Sequence, residues 1–302
     1  MNNKNLTTEI AGSDFVLPFS RVILANSLET IGIDFYKAHE RAQKIDNGFN
    51  KQGLKRITRG ELRDRVFEHL KKDINEETAL KYLKFRKIMA LKKPLIILLG
   101  GSTGSGKDTV SMELAHRLDI MTVITTDIIR EIMRSLFSDE ILPMIHTSSY
   151  LAYKKLWIPL EKGKNYQTVA YREQSLRVNA GIRSIIKRSI KENTTLIING
   201  VHILPDIIKY DEFKDANLIK IFIYVKNKSA HKERFYIRGM SSEGRDAAKY
   251  IDNFNTIREI QKYIINRSKK LQYLCINNCD SKETALIIIN HIINEVSKRE
   301  SI

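Results

Sequence analysis

Cysteine is scarce in this chain: two in 302 residues, Cys275 and Cys279, both in "LCINNCD". A lone C-x3-C with no further cysteine or nearby histidine offers too few ligands for a structural zinc site. Two reduced thiols near a buried strand are expected instead, because disulfides are rare in the cytosol. Long apolar runs are also missing. None approaches the roughly 18 residues of a membrane span, and "MNNKNLTTEI" lacks the apolar centre of a secretory leader, so the expected location is the cytoplasm. Negative charge is under-represented, with 35 acidic against 51 basic residues and a formal charge of +16. That excess implies an anionic partner: nucleic acid, a nucleotide or a small phosphorylated metabolite. The basic residues form no block of five or six and are not interleaved with aromatics. A solvated basic surface therefore stands against a nucleic-acid face.

What remains is an ordinary globular composition, 42% hydrophobic and 28% charged, long enough for two domains. No internal repeat or low-complexity stretch interrupts it. Residues 14–90 read as helical. Val22, Leu24, Leu28, Ile31, Phe35, Ala38 and Ala42 fall at near-helical spacing, with Gly32 as a break. Thr58 followed three residues later by Glu61 is a capping-box start, and Leu62, Val66 and Leu70 make the stripe behind it. Pro94 closes this region. Beyond it the pattern becomes strand–helix alternation, with short apolar runs at 95–100, 121–126, 195–200, 219–225 and 271–276. This predicts an α/β domain over 93–302 with a doubly wound parallel sheet, preceded by a small, mainly helical domain over 1–92. Right-handed crossovers would bring the loops after the strands to one edge, where such sheets bind ligands.

"LIILLGGSTGSGKDTVSMELAHRLDI" begins at Leu95 and holds the G-x-x-x-x-G-K pattern: Gly101, Ser102, Thr103, Gly104, Ser105, Gly106 and Lys107. It follows an apolar strand and opens an amphipathic helix carrying Val110, Leu114 and Leu118, the context a phosphate-binding loop requires. Its glycines let backbone N–H groups and the helix start face phosphate oxygens, and Lys107 adds a point charge for the β- and γ-phosphates of ATP. The next residue normally supplies a hydroxyl to Mg²⁺, but here it is Asp108, followed by Thr109. A carboxylate is a hard oxygen ligand for Mg²⁺, and it repels phosphate when the metal is absent. Asp108 and Thr109 are the candidate metal ligands.

The stretches "ILLGGSTGSGKDTVSMELAHRLDIMTVITTDIIREIMR", "HTSSY", "NAGIRSIIKRSI", "LIINGVHILP", "HKERFYIRG" and "NFNTIREIQKYII" together resemble archaeal 2-phosphoglycerate kinase. The segment from "LPFSRVILANSLETIGID" through "ELRDRVFEHL" resembles the ATP-cone domain that precedes that kinase. The resemblance covers nearly the whole chain. It implies a P-loop NTPase-like kinase fold, ATP and Mg²⁺ as cofactors, 2-phosphoglycerate as acceptor and a regulatory N-terminal domain binding a second nucleotide, although no glycine-rich cradle is found there and a structural or dimer-forming helical domain is the alternative. In that family the strand before "GVH" usually ends in an acidic residue, whereas here the position is Asn199. One carboxylate is lost at the strand end and one is gained in the loop. Either the two changes offset each other, or together they mark a weakened or redirected enzyme.

Asp127 follows the second strand in "TTD" and should emerge at the ligand edge, to orient or deprotonate the acceptor hydroxyl or hold a metal water; the competing role is a helix N-cap. Arg130 and Arg134 stand four apart on one helix face and suit an acceptor bearing carboxylate and phosphate, or simply a solvated face. By resemblance His146, Ser148, Ser149 and Tyr150 of "HTSSY" contact the acceptor, while caps made by Thr147 and Ser148 are the alternative. Arg234 and Arg238, four apart after a strand, are candidates to close over the transferred phosphate, with an exposed basic helix as the alternative. Arg172, Arg177 and Arg183 are weaker candidates on a basic helix, and His202 is expected to pack or cap rather than act as a base. The leading expectation is phosphorylation of 2-phosphoglycerate to 2,3-bisphosphoglycerate. Its rivals are a kinase for another phosphorylated, polyol or nucleotide acceptor, and a nucleotide-switched RNA-binding protein. A homo-oligomer is left open.

Overall fold

The computed structural model describes residues 8–12, 16–156, 165–240 and 247–301. Of the opening stretch searched for a leader, residues 1–7 lie outside them. Among the described residues no helix is long and apolar enough to cross a membrane. The chain divides into two units, Met1–Leu91 with Leu286–Ile302, and Lys92–Ala285. The last seventeen residues, assigned from sequence to the α/β domain, thus group with the N-terminal unit.

The first unit holds strands β1 (Glu9–Ala11), β2 (Val16–Pro18) and β3 (Arg56–Thr58), with helices α1 (Arg21–Thr30), α2 (Phe35–Lys51), α3 (Arg59–Asp73) and α4 (Glu76–Met89). β1 is central, antiparallel to β2 and parallel to β3. The sequence predicts a mainly helical domain and shows no strand here, since strands of three residues are too short to display alternation. Each helix starts on a side-chain cap: Ser20, Asp34, Thr58 and Asn75 each accept a backbone N–H of the first turn. The Thr58–Glu61 capping box is complete. Gly32, at φ +99°, breaks α1 from α2 in a conformation other residues rarely adopt. Leu24, Leu28, Ala38 and Ala42 are buried as their spacing predicts. Val22 and Phe35 instead face solvent, each lying in the opening turn of its helix.

The second unit is built on a five-stranded parallel sheet, joined in chain order as β4 (Leu95–Gly100), α5 (Lys107–Leu118), β5 (Val123–Thr125), α6 (Thr126–Leu136), α7 (Tyr166–Lys191), β6 (Leu196–Gly200), β7 (Asn217–Tyr224), α8 (Lys228–Met240), α9 (Ala247–Asp252), α10 (Phe254–Lys270) and β8 (Leu274–Asn277), and it ends in the first turn of α11 (Ser281–Arg299), the rest of which belongs to the first unit. Strand order is β5-β6-β4-β7-β8. This is the expected doubly wound parallel sheet. β5 is shorter than its apolar run because Thr126 already begins α6, and β8 starts later because α10 runs to Lys270. Ile96, Ile97, Leu98 and Leu99 of β4 are wholly buried, each stabilising the fold by about 1.5–3 kcal/mol. They form a rigid floor for the loop that follows. From β4 the chain passes over to β5, returns to β6 and then crosses to β7 on the other flank. The crevice at such a switch point, beyond the C-terminal end of β4, is where ligands enter. Parallel strands bring residues after 100, 125, 200, 224 and 277 to that one edge.

Candidate active site

The loop between β4 and α5 is shaped by what its glycines exclude. A Cβ at Gly101 would lie 2.4 Å from the Ile223 carbonyl oxygen, and one at Gly104 would lie 2.6 Å from the Phe235 ring. Gly104 and Gly106 adopt φ of +78° and +85°, and Gly106 caps α5 without a side chain, leaving the first N–H groups of that helix directed outward. Lys107 is buried and donates to the Ser102 carbonyl at 2.8 Å, folded back over its own loop. Burial holds its ammonium below the usual lysine range, while Asp108 and Asp127 act in the opposite direction. The Ser105 hydroxyl is buried with no hydrogen-bond partner. A cradle closed to side chains, an orphaned hydroxyl and an ammonium fit a polyphosphate.

Helix α8 braces this cradle from behind. His231 donates Nε2–H to the Thr103 carbonyl at 2.8 Å and stacks on Phe235 at 5.3 Å. Burial, and behind it the charges of Arg258 and Arg234, push its imidazole down to about 4, so it stays neutral. Arg234 donates to the Ser105 carbonyl at 2.9 Å and to the Asn278 carbonyl at 2.6 Å. Asn278 donates back to Ser105 at 2.8 Å, and Gln261 of α10 accepts from Ser102 Oγ at 3.2 Å. Sequence reasoning gave no role to His231, Gln261 or Asn278. The available signal was polar residues just past a buried strand, as in "NNCD" after β8. The loop, Arg234, Arg238 and residues 278–281 line a cleft of about 450 Å³.

Asp108 stands at the mouth of this cleft, and its two carboxylate oxygens have different partners. Oδ2 accepts from Arg238 at 3.1 Å, and Oδ1 accepts from the Asn199 amide at 3.3 Å. The same amide nitrogen donates to Ser111 Oγ at 2.6 Å, whose hydroxyl donates to the Asp108 carbonyl. An amide donor can sit this close to a carboxylate; a second carboxylate at position 199 would not, because like charges at hydrogen-bond distance resist joint ionisation. The unusual residue on the strand is therefore in direct contact with the unusual residue of the loop.

On the acceptor side, α6 is capped by Thr125, which accepts from the Ile128 amide, so Asp127 is not the cap. Its carboxylate is exposed within the first turn, 3.6 Å from Arg130 Nε. Arg130 donates to the carbonyls of Ile145 and Thr147, both at 3.0 Å, clamping the "HTSSY" stretch from beneath. Arg134 turns to Glu131 at 2.7 Å, so the two arginines do not form an open fork. His146 donates to the Phe137 carbonyl. Neither Thr147 nor Ser148 caps the 3₁₀ turn at Ala152–Lys155, which starts at Leu151. Ser149 and Tyr150 are buried, and burial raises the Tyr150 phenol above its usual range. His202 packs between Thr126 (2.9 Å) and Gln174 (3.1 Å) with both ring nitrogens engaged, the packing role expected of it, and burial drives it down to about 4. Arg172 binds Asp206, Arg177 binds Glu173 and Arg183 binds Glu212, each an intramolecular brace. Cys275 and Cys279 are free thiols, and burial pushes Cys275 up to about 11. Among the described residues no cluster of His, Cys, Asp and Glu could hold a metal by itself.

No family model matches the chain. Curated relatives do. A 2-phosphoglycerate kinase from Methanothermobacter thermautotrophicus is 37% identical over 96% of this chain and 94% of its own length. One from Methanopyrus kandleri is 34% identical over 98% and 90%, and one from Pyrococcus furiosus 37% over 95% and 94%. Among solved structures, a shikimate kinase from Acinetobacter baumannii aligns with a TM-score of 0.39 at 15% identity, over 68% of this chain and 97% of that one, too distant to bear on the reading. Identity at this level over nearly the full length, with a complete phosphate loop in a parallel sheet, places the chain in the 2-phosphoglycerate kinase family.

Proposed function

We infer that the protein transfers the γ-phosphoryl group of ATP to the free hydroxyl of 2-phosphoglycerate, giving ADP and 2,3-bisphosphoglycerate in the cytoplasm. The observation that carries this reading is the intact phosphate cradle of Gly101–Lys107, in a chain similar end to end to kinases named for that acceptor. The acceptor oxygen bonds to the γ-phosphorus, the bond to the β–γ bridging oxygen breaks, and the hydroxyl proton leaves towards Asp127, whose carboxylate is exposed in the first turn of α6. Loop amides and Lys107 hold the polyphosphate, and Arg238 balances the charge that spreads over the transferring group. Arg130 fixes the acceptor loop through its carbonyls, leaving the half-buried Ser148 to meet the acid groups of the substrate, while Ser149 and Tyr150 are buried behind it. Arg134 takes part only by leaving Glu131. Asp108 and Thr109 are hard oxygen donors at the cleft mouth and fit Mg²⁺, which would neutralise phosphate charge there. Titrating 2-phosphoglycerate into the protein with a non-hydrolysable ATP analogue should give saturable binding. Silence there, with turnover on a different acceptor, would replace the substrate.

The exchange of acid between positions 199 and 108 is proposed to keep the charge of the site constant. Asp108→Ser should then lower Mg²⁺-dependent transfer, and Asn199→Glu in the same chain should recover part of it. Unchanged activity in Asp108→Ser would sink this idea. The N-terminal unit is proposed, on its resemblance to an ATP cone, to bind a second and regulatory nucleotide. Equilibrium dialysis should then count two nucleotides per chain, and a count of one would remove that role.

A further inference from the structure

Helix α8 directs three side chains at the phosphate loop and the start of α5, at spacings of three and four residues: His231 from behind, and Arg234 and Arg238 from the cleft. The first two grip main-chain carbonyls of the phosphate loop, Thr103 and Ser105, which any ligand leaves in place. The third grips something else. Arg238 Nη2 donates to the Asp108 carboxylate at 3.1 Å, and that carboxylate is 61% exposed at the mouth where a phosphate and its cation arrive. The other oxygen of Asp108 is tied to the sheet through Asn199, which holds the aspartate in place independently of Arg238. Asn199 is itself fixed by Ser111 and buried to within 1%.

We propose that Asp108 is a positioning residue for Arg238. In the nucleotide-free protein it holds the guanidinium at the cleft mouth. It gives up that partner when a divalent cation enters with the nucleotide and takes over the carboxylate. Arg238 then moves from a carboxylate that no longer needs it to the phosphate oxygens that do. The reason is charge arithmetic. Asp108 and Arg238 sum to zero, so the empty mouth attracts a polyanion through Lys107, Arg234 and the loop amides, with no net help from Arg238. A nucleotide arriving without its cation meets Arg238 already occupied and Asp108 repelling it. A nucleotide arriving with a cation satisfies Asp108 and frees Arg238 in one event. A hydroxyl at position 108, the usual residue after the lysine, could make neither contact with the same strength. Nucleotide affinity in this chain should therefore depend on the cation more steeply than a hydroxyl at that position would allow.

This inference rests on the kinase reading for the nucleotide site but not on the acceptor, so its test uses binding alone. The affinity for a non-hydrolysable ATP analogue is measured by titration calorimetry, with magnesium and with a chelator, for the full-length protein, Asp108→Ser, Arg238→Gln and the double variant. The ratio of the two dissociation constants should be at least about tenfold larger in the native chain than in Asp108→Ser, about one and a half kcal/mol of differential binding. In chelator, Arg238→Gln should bind more weakly than native, because Asp108 is left uncompensated, and adding Asp108→Ser should restore it. With magnesium the two substitutions should act independently. Equal cation dependence in native and Asp108→Ser would overturn the proposal while leaving the kinase reading intact. So would a 108–238 coupling that persists unchanged in magnesium. No nucleotide binding even with magnesium would overturn both.

Discussion

Lys107 is the residue whose loss should cost most. Its stem is buried and its ammonium already lies over the loop, held by Ser102. Lys107→Met keeps the stem and removes the charge, and kcat/KM should fall about 10²–10³-fold, the scale for one lost charge-stabilising donor. Steady-state kinetics and an unchanged circular dichroism spectrum would check this. His202 yields a prediction about pH. Folded, it titrates at about 4; unfolded, near 6.5. Between those values the unfolded chain binds a proton that the folded chain refuses, so stability is complete above about 6.5 and falls as pH drops towards 4. The loss is on the order of 3 kcal/mol. Urea midpoints of native protein and His202→Asn should accordingly converge as pH is lowered from about 7 to about 4.5; a constant gap would mean that the imidazole protonates in place. The identity of such residues was readable in the sequence, but their partners were not. "TTD" marked Asp127, yet the cap belongs to Thr125, since both residues suit a helix start and only backbone geometry chooses between them.

At the scale of elements, the loop and α8 behave as one unit, because the glycine gaps are filled by α8 and by the turn after β8. A methyl at Gly106 would meet Asn278 Nδ2 at 2.5 Å, in a backbone conformation that costs an L-residue about 1–2 kcal/mol before any clash. Gly106→Ala should lower the unfolding midpoint and abolish nucleotide binding. Gly48, inside α2 with nothing within 4 Å of a Cβ, makes the contrasting case. Gly48→Ala should stabilise the protein by about 0.5–1 kcal/mol through helix propensity, measurable by denaturant titration. The strands of the α/β unit were legible because fully buried parallel strands read as unbroken apolar runs. The three strands of the N-terminal unit were not, being too short for any period to show.

At the scale of the whole molecule, the chain ends in the unit where it began. Ile288, Ile289, Ile292, Ile293 and Val296 of α11 are buried, and residues 286–302 group with Met1–Leu91. A fragment of residues 92–302 should therefore expose that apolar face and associate, while one of residues 92–285 should not; light scattering on the two fragments would decide. Sequence alone determined the phosphate loop, the parallel sheet and the edge to which its loops converge. Those follow from local rules: apolar runs make buried strands, glycines permit a left-handed turn, and parallel connections force the loops to one side. Tertiary structure alone decided that Asp108 faces both Asn199 and Arg238, that His231 and Gln261 support the loop, and that the last helix returns to the first unit. Positions 108, 199 and 238 are separated by tens of residues, and a contact across such a distance is set by how layers pack, which no local pattern records.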